Sequence, residues 1–131
     1  MKTDEIHIRI GHSPDPDDAF MFHALTTGAI KTPGRNYEHV LLDIQTLNEK
    51  ALNSEYEISA VSIHSFPKII ENYALMNCGA SMGEGYGPML IGNEQLTIEE
   101  GKQRTIAIPG LDTSAYLALR LAWGDFKVEV P

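Results

Sequence analysis

The chain is 131 residues long, the usual size of one domain, enough to bury roughly two thirds of the surface its unfolded form exposes. Hydrophobic residues make up 43% and charged residues 21%, an ordinary globular balance, and a formal net charge of −8 argues against nucleic acid or an anionic membrane as partner. Cys78 is the only cysteine, so no intrachain disulfide forms, and in the apolar stretch ALMNCGA it reads as a buried small hydrophobe.

No segment approaches the roughly 20 apolar residues of a membrane span. MKTDEIHIRI carries acids and an alternating pattern where a signal peptide needs a continuous apolar core, and Met1 itself argues against an upstream leader. A cytoplasmic protein is the expectation.

Ile6, Ile8 and Ile10 alternate with His7 and Arg9, which predicts a half-buried strand with His7 solvated. Asp17 to Thr27 reads as a helix, VLLDI at 40–44 as a second strand, and Thr46-Leu47-Asn48-Glu49 has the spacing of a capping box opening a helix to about Asn53. Ile58 to Ser62 is a third strand. It leads into a short helix through His64, Phe66 and Ile69-Ile70, with Pro67 tolerated in the first turn.

Ala74 to Met76 and Pro88 to Ile91 are further strand candidates, and the polar NEQLTIEEGKQR reads as a crossover. Thr105 to Ile108 is then a strand, Thr113 to Trp123 a helix and Lys127 to Val130 the start of another strand. Strands alternating with helices predict an α/β domain with a largely parallel sheet. The expected organisation is a first lobe at 1–96, a crossover at 97–104, and an incomplete β-α-β second lobe at 105–131.

The stretch GHSPDPDDAFMFHAL places Asp15, Asp17 and Asp18 at the mouth of an apolar helix. Pro16 suits the first helical position, with Asp15 at the cap. Asp17 and Asp18 complement the positive end of the helix dipole. A metal reading would add His12 as a ligand, but the ordered loop of a calcium site is missing and no metal is expected. A carboxylate acid/base pair is the third alternative.

Position supplies a stronger functional signal. In an open parallel sheet, ligands bind beyond the carboxyl ends of the strands. Gly11 to Pro16 follows the first strand, Ser62, His64 and Ser65 follow the third, and Gly110-Leu111-Asp112-Thr113-Ser114 follows TIAIP and opens a helix. These junctions are rich in hydroxyls and free N–H groups, suited to an anionic ligand group. The glycines of GASMGEGYGP, Gly79, Gly83, Gly85 and Gly87, lack the following Lys-Ser/Thr of a phosphate loop and read as a loop or hinge. His23 and His39 read as structural.

With these junctions in place, the chain resembles the menaquinone-biosynthesis (1,4-dihydroxy-6-naphthoate synthase-like) branch of the type II periplasmic-binding-protein fold. The likeness rests on Ser13-Pro14, Asp18, Phe20-Met21-Phe22-His23-Ala24-Leu25, Ser62, GEGYGP and PGLDTSAYLAL. It implies a two-lobed fold of which this chain holds one nearly complete lobe and the start of the second. It also implies a carbon–carbon lyase acting on cyclic dehypoxanthinyl futalosine without a cofactor, with Ala60, Val61, Ser62, Thr113 and Ser114 contacting substrate and Ser13 and Asp18 on the rim. The histidine regarded as the family's base would fall beyond Pro131, so the resemblance places no catalytic residue in this chain.

Two departures bear on the ligand. The synthases read Ser-Pro-Cys-Pro-Asn-Asp where this chain has Ser13-Pro14-Asp15-Pro16-Asp17-Asp18, and a lysine where it has Ala60. Either the anionic group of the ligand sits at Thr113-Ser114, away from the acidic junction, or this subgroup handles a different molecule; a small carboxylated or polyhydroxylated ligand is the expectation. The alternative function is a solute-binding protein of the same fold without chemistry. The apolar helix at 113–123 and the strand edges of TIAI and KVEV predict a homodimer formed by residues from about 103 onward.

Overall fold

A computed structural model describes residues 5–131; the inference from Met1 falls outside them. β1 (Ile6–His12) is the centre of a three-stranded parallel sheet in the order β2-β1-β3, with β2 at Arg35–Leu41 and β3 at Ile58–Ser59. β1 pairs with β2 along its whole length, from Ile6↔Arg35 to His12↔Leu41, and with β3 through Ile10↔Ile58 and Gly11↔Ser59. A second parallel pair joins β4 (Thr105–Ala107) to β5 (Lys127–Glu129). The mixed α/β class with parallel pairing is as expected.

Burial runs along β1 more than across it. Ile6 is 58% exposed and Ile10 only 1%, so the buried end of the sheet is its carboxyl end. There Ile10 packs into a core shared with Leu47, Ala51 and Ile69. The other end is held by polar contacts. Arg9 forms a two-pronged ion pair with Glu57, and this holds the Glu57 carboxyl down at about 2. His7, expected to be solvated, lies 2.9 Å from Glu38 on the neighbouring strand.

Several elements differ from expectation. The second strand begins at Arg35, because the alternating RNYEHVL matches β1 residue for residue, and it ends before Asp43. Asp43 caps α2 (Ile44–Leu52), its carboxylate accepting from Thr46 N–H at 2.9 Å and from the Thr46 hydroxyl at 2.6 Å. These bonds keep the Asp43 carboxyl below its ordinary range, the Thr46 hydroxyl contributing most. Thr46 is thus inside the helix and cannot open a capping box with Glu49. The same Thr-x-x-Glu spacing does form a reciprocal box at Thr97 and Glu100, where it opens α3 (Ile98–Lys102) within the segment read as a bare crossover.

The third strand is shorter than Ile58 to Ser62, although Ala60 N–H still donates to Gly11 O at 2.8 Å. The helix expected after it is a single 3-10 turn at Phe66–Lys68. Residues 74–76 and 88–91 form neither helix nor strand; Leu75, Met76, Met89 and Ile91 are all exposed because no ladder or packed face holds them. Cys78 in the same region is exposed, a correction to its expected burial. α1 (Pro16–Thr26) and α4 (Ser114–Trp123) match their predicted extents closely. No helix among the described residues is long and apolar enough to cross a membrane.

Gly11 is where β1 and α2 approach most closely. A Cβ there would lie 2.8 Å from the Leu47 side chain and 2.9 Å from the Tyr56 ring. Overpacking of this kind costs about 1–3 kcal/mol. Gly11→Ala should therefore lower the unfolding free energy by that amount, seen as a lower urea midpoint at an unchanged denaturant slope, and an unaltered midpoint would refute the close approach.

Candidate functional site

Parallel pairing brings the ends of β1 and β3 to one edge of the sheet. Ser13 follows β1 and Ser62 follows β3, and both are buried at that edge. Thr113 and Ser114, at the start of α4, meet them there through His64 and Asn48.

Asn48 is the centre of the arrangement. It is fully buried on α2, and its side-chain oxygen accepts from Ser62 N–H at 2.8 Å. Its amide nitrogen donates to Ser62 Oγ at 3.1 Å and to Asp112 O at 3.3 Å. Asp112 is gripped from three further directions. Its N–H donates to Gln45 Oε1 at 3.1 Å, its carbonyl accepts from the Ser65 hydroxyl at 2.8 Å, and its carboxylate pairs with Lys68. Gly110 makes this possible, since a Cβ there would overlap the Gln45 side chain.

The serines of the edge share a bonding pattern. Ser13 Oγ accepts from Asp15 N–H at 3.0 Å, Ser62 Oγ from Asn48, and Ser114 Oγ from His64 N–H at 3.4 Å. Each oxygen is engaged through a lone pair, and none of the three hydroxyl hydrogens has an acceptor among the described residues. Thr113 differs. Its hydroxyl donates to Gly110 O at 2.8 Å and accepts from Tyr116 N–H at 3.3 Å, so it is spent on capping α4. Ala60 and Val61 lie half-buried between β3 and Ser62.

The acids at α1 take separate tasks. Asp15 occupies the cap position without a side-chain cap bond, contrary to the capping reading. Asp18 instead turns back to accept from Ser13 N–H at 2.7 Å, which fixes the loop after β1. Asp17 points the other way, and the Ser81 hydroxyl, followed by the Asp18 N–H, holds its carboxyl below the ordinary range. A shallow concavity opens on that side, between α1 and Gly79–Met82, floored by Phe20 and Met21. No group of three or more metal-ligating side chains converges among the described residues.

Behind Ser13 lies a histidine pair. Buried His12 directs Nδ1 at Ser13 O, 3.0 Å away, and Nε2 at His39 Nδ1, also 3.0 Å away, while its ring stacks on Phe22 at 4.3 Å between centroids. A carbonyl can only accept, so His12 carries its proton on Nδ1 and receives one from His39. Burial, and next the proximity of His12, pushes the His39 ring below its ordinary pKa. His39, read from the sequence as structural, thus contacts the residue that precedes Ser13.

Sequence reasoning located the three junctions, Asp112 among their residues, but missed Asn48, Gln45 and Lys68. The available signal was Asn48 itself, a polar residue on the helical face that Leu47 and Ala51 bury.

A family model described as menaquinone biosynthesis matches residues 8–130. The chain is 36% identical over 124 residues to a 1,4-dihydroxy-6-naphthoate synthase of Thermus thermophilus, covering 94% of this chain and 44% of that protein. It is 35% identical over 119 residues to the same-named protein of Streptomyces coelicolor, covering 90% of this chain and 41% of that one. A crystal structure of a protein from Archaeoglobus fulgidus superimposes with a TM-score of 0.88 at 42% identity, over 95% of this chain and 46% of that one. The chain thus spans less than half the length of each of these relatives.

Removing the Asn48 amide would strand Ser62 N–H and weaken the hold on Asp112, and each buried polar group left unpaired costs about 1–3 kcal/mol. Asn48→Ala should destabilise the protein by about 3 kcal/mol in urea unfolding. A loss below about 0.5 kcal/mol, the range of surface substitutions, would show that the junctions are held by other means.

Proposed function

Given that the chain belongs to the menaquinone-biosynthesis family, we propose that residues 1–131 supply one side of the ligand site of a 1,4-dihydroxy-6-naphthoate synthase-like protein. The fold would be of the type II periplasmic-binding-protein kind, with residues 1–96 in the first lobe, 97–104 crossing over and 105–131 opening the second. The reaction would be carbon–carbon cleavage of cyclic dehypoxanthinyl futalosine or a close analogue. Ser13, Asp18, Ala60, Val61, Ser62 and Ser114 would line the ligand, with Thr113 holding the start of α4 in place.

The observation that supports this reading is the trio of unspent hydroxyl hydrogens at Ser13, Ser62 and Ser114 along one sheet edge. Hydroxyl donors suit the oxygens of a carboxylated or polyhydroxylated molecule. Closure of two lobes over such a ligand would exclude water and strengthen each of these bonds. The base that starts cleavage would come from outside this stretch, so these residues alone should bind without turnover.

The assay is release of dihydroxynaphthoate from cyclic dehypoxanthinyl futalosine. The 131-residue chain should show no release above the uncatalysed rate, and turnover by it would move the base into this chain. Binding of that substrate with no turnover by a longer form carrying both lobes would favour the solute-binding reading.

A homodimer is the further part of the proposal. Leu121 on α4 is 79% exposed and Val130 47% exposed, and the β4-β5 pair is two strands wide with open edges. A second copy meeting residues from about 103 onward would cover these groups. Light scattering at micromolar concentration should give twice the chain mass; a monomer would remove the proposal.

A further inference from the structure

We propose that His64 is a hydrogen-bond acceptor of the site, presenting its Nε2 lone pair to a hydroxyl of the ligand. This rests on the binding role proposed above and narrows it to a hydroxylated ligand.

His64 lies between the two parts of the edge. Its backbone N–H donates to Ser114 Oγ at 3.4 Å, and its ring Nδ1 is 3.1 Å from Thr113 O. That carbonyl already accepts from Leu117 N–H at 3.2 Å and can only accept. The Nδ1 position therefore carries the hydrogen, and when the ring holds that hydrogen alone its lone pair is on Nε2. Nε2 has no partner among the described residues, and no buried side-chain nitrogen or oxygen there is left unpaired. It therefore opens to solvent from a half-buried ring.

The surrounding groups complement this lone pair. Ser13, Ser62 and Ser114 each keep a hydroxyl hydrogen to donate, with one oxygen lone pair already engaged. Asp112 O is taken by Asn48 and Ser65, and the Asp112 carboxylate by Lys68. A carboxylate ligand needs donors alone. A hydroxyl also has a hydrogen to give, and His64 Nε2, which no side chain or backbone group among the described residues engages, is free to take it. Ser62, with a hydrogen to give, and His64, with a lone pair to receive one, lie two residues apart and would together serve both sides of a hydroxyl group.

Long-range proton–nitrogen NMR of the protein without ligand tests the premise alone. The Nδ1–H tautomer of His64 is expected, and the Nε2–H tautomer would overturn the proposal whatever the ligand. Calorimetry with cyclic dehypoxanthinyl futalosine then tests the role. His64→Leu should weaken binding about tenfold, the worth of one good hydrogen bond, while His64→Gln, which keeps an acceptor, should recover most of it. Equal affinity of His64→Leu and the unaltered protein would overturn the acceptor role. Absence of binding by the unaltered protein, alongside an Nδ1–H tautomer, would count against the proposed function while leaving the premise upheld.

Discussion

One buried amide carries the arrangement of the whole functional edge. Asn48 joins the helix between β2 and β3, the loop after β3 and the loop that opens α4, and neither loop has a ladder partner at that point. A buried amide is costly unless satisfied, and this one is satisfied only if residues 62 and 112 sit where they do. The requirement works in both directions. It fixes the loops and commits α2 to one rotation, with Leu47 and Ala51 turned to the core beside it. Hydrophobic contact alone could not impose this, because apolar packing has little directional preference.

The chemistry of the edge follows from which atoms this network consumes. Backbone N–H groups engage the oxygens of Ser13 and Ser114, and the Asn48 amide that of Ser62, each through a lone pair, so the hydrogens remain. Thr113 uses both sides of its hydroxyl on its own helix and keeps nothing for a ligand. Residues of nearly identical type, one position apart, thereby acquire different capacities. Composition counts them alike, and bonding partners separate them.

The strand and helix types that were legible in the sequence are those whose signal is local. The isoleucine alternation of β1, the proline opening α1 and the threonine opening α4 each act within a few residues of themselves. Errors arose where two local signals competed or where a partner lay far away. Asp43 and Thr46 both looked able to begin α2, and the upstream carboxylate prevailed by bonding the Thr46 N–H and hydroxyl. VLLDI was read as a strand for its apolar run, yet Arg35 to Leu41 pairs because it follows the register of β1. The site was legible as three loops at strand ends. Its links through Asn48, Gln45 and Lys68 to Asp112 were not, since each joins positions distant in sequence whose proximity exists only after folding.

Every strand pair described is parallel, which has a consequence for how the chain assembles. No tight hairpin can nucleate any of these ladders; each awaits closure of a loop holding a helix. Contacts separated this far along the chain slow the search for the native state. The segment carrying Asp112 has no ladder to the central sheet and is joined to it through side-chain bonds at a late-arriving surface. During biosynthesis the first sheet can therefore close before β4 leaves the ribosome. The edge that carries Ser62 and meets Ser114 is then completed last, onto a platform already set.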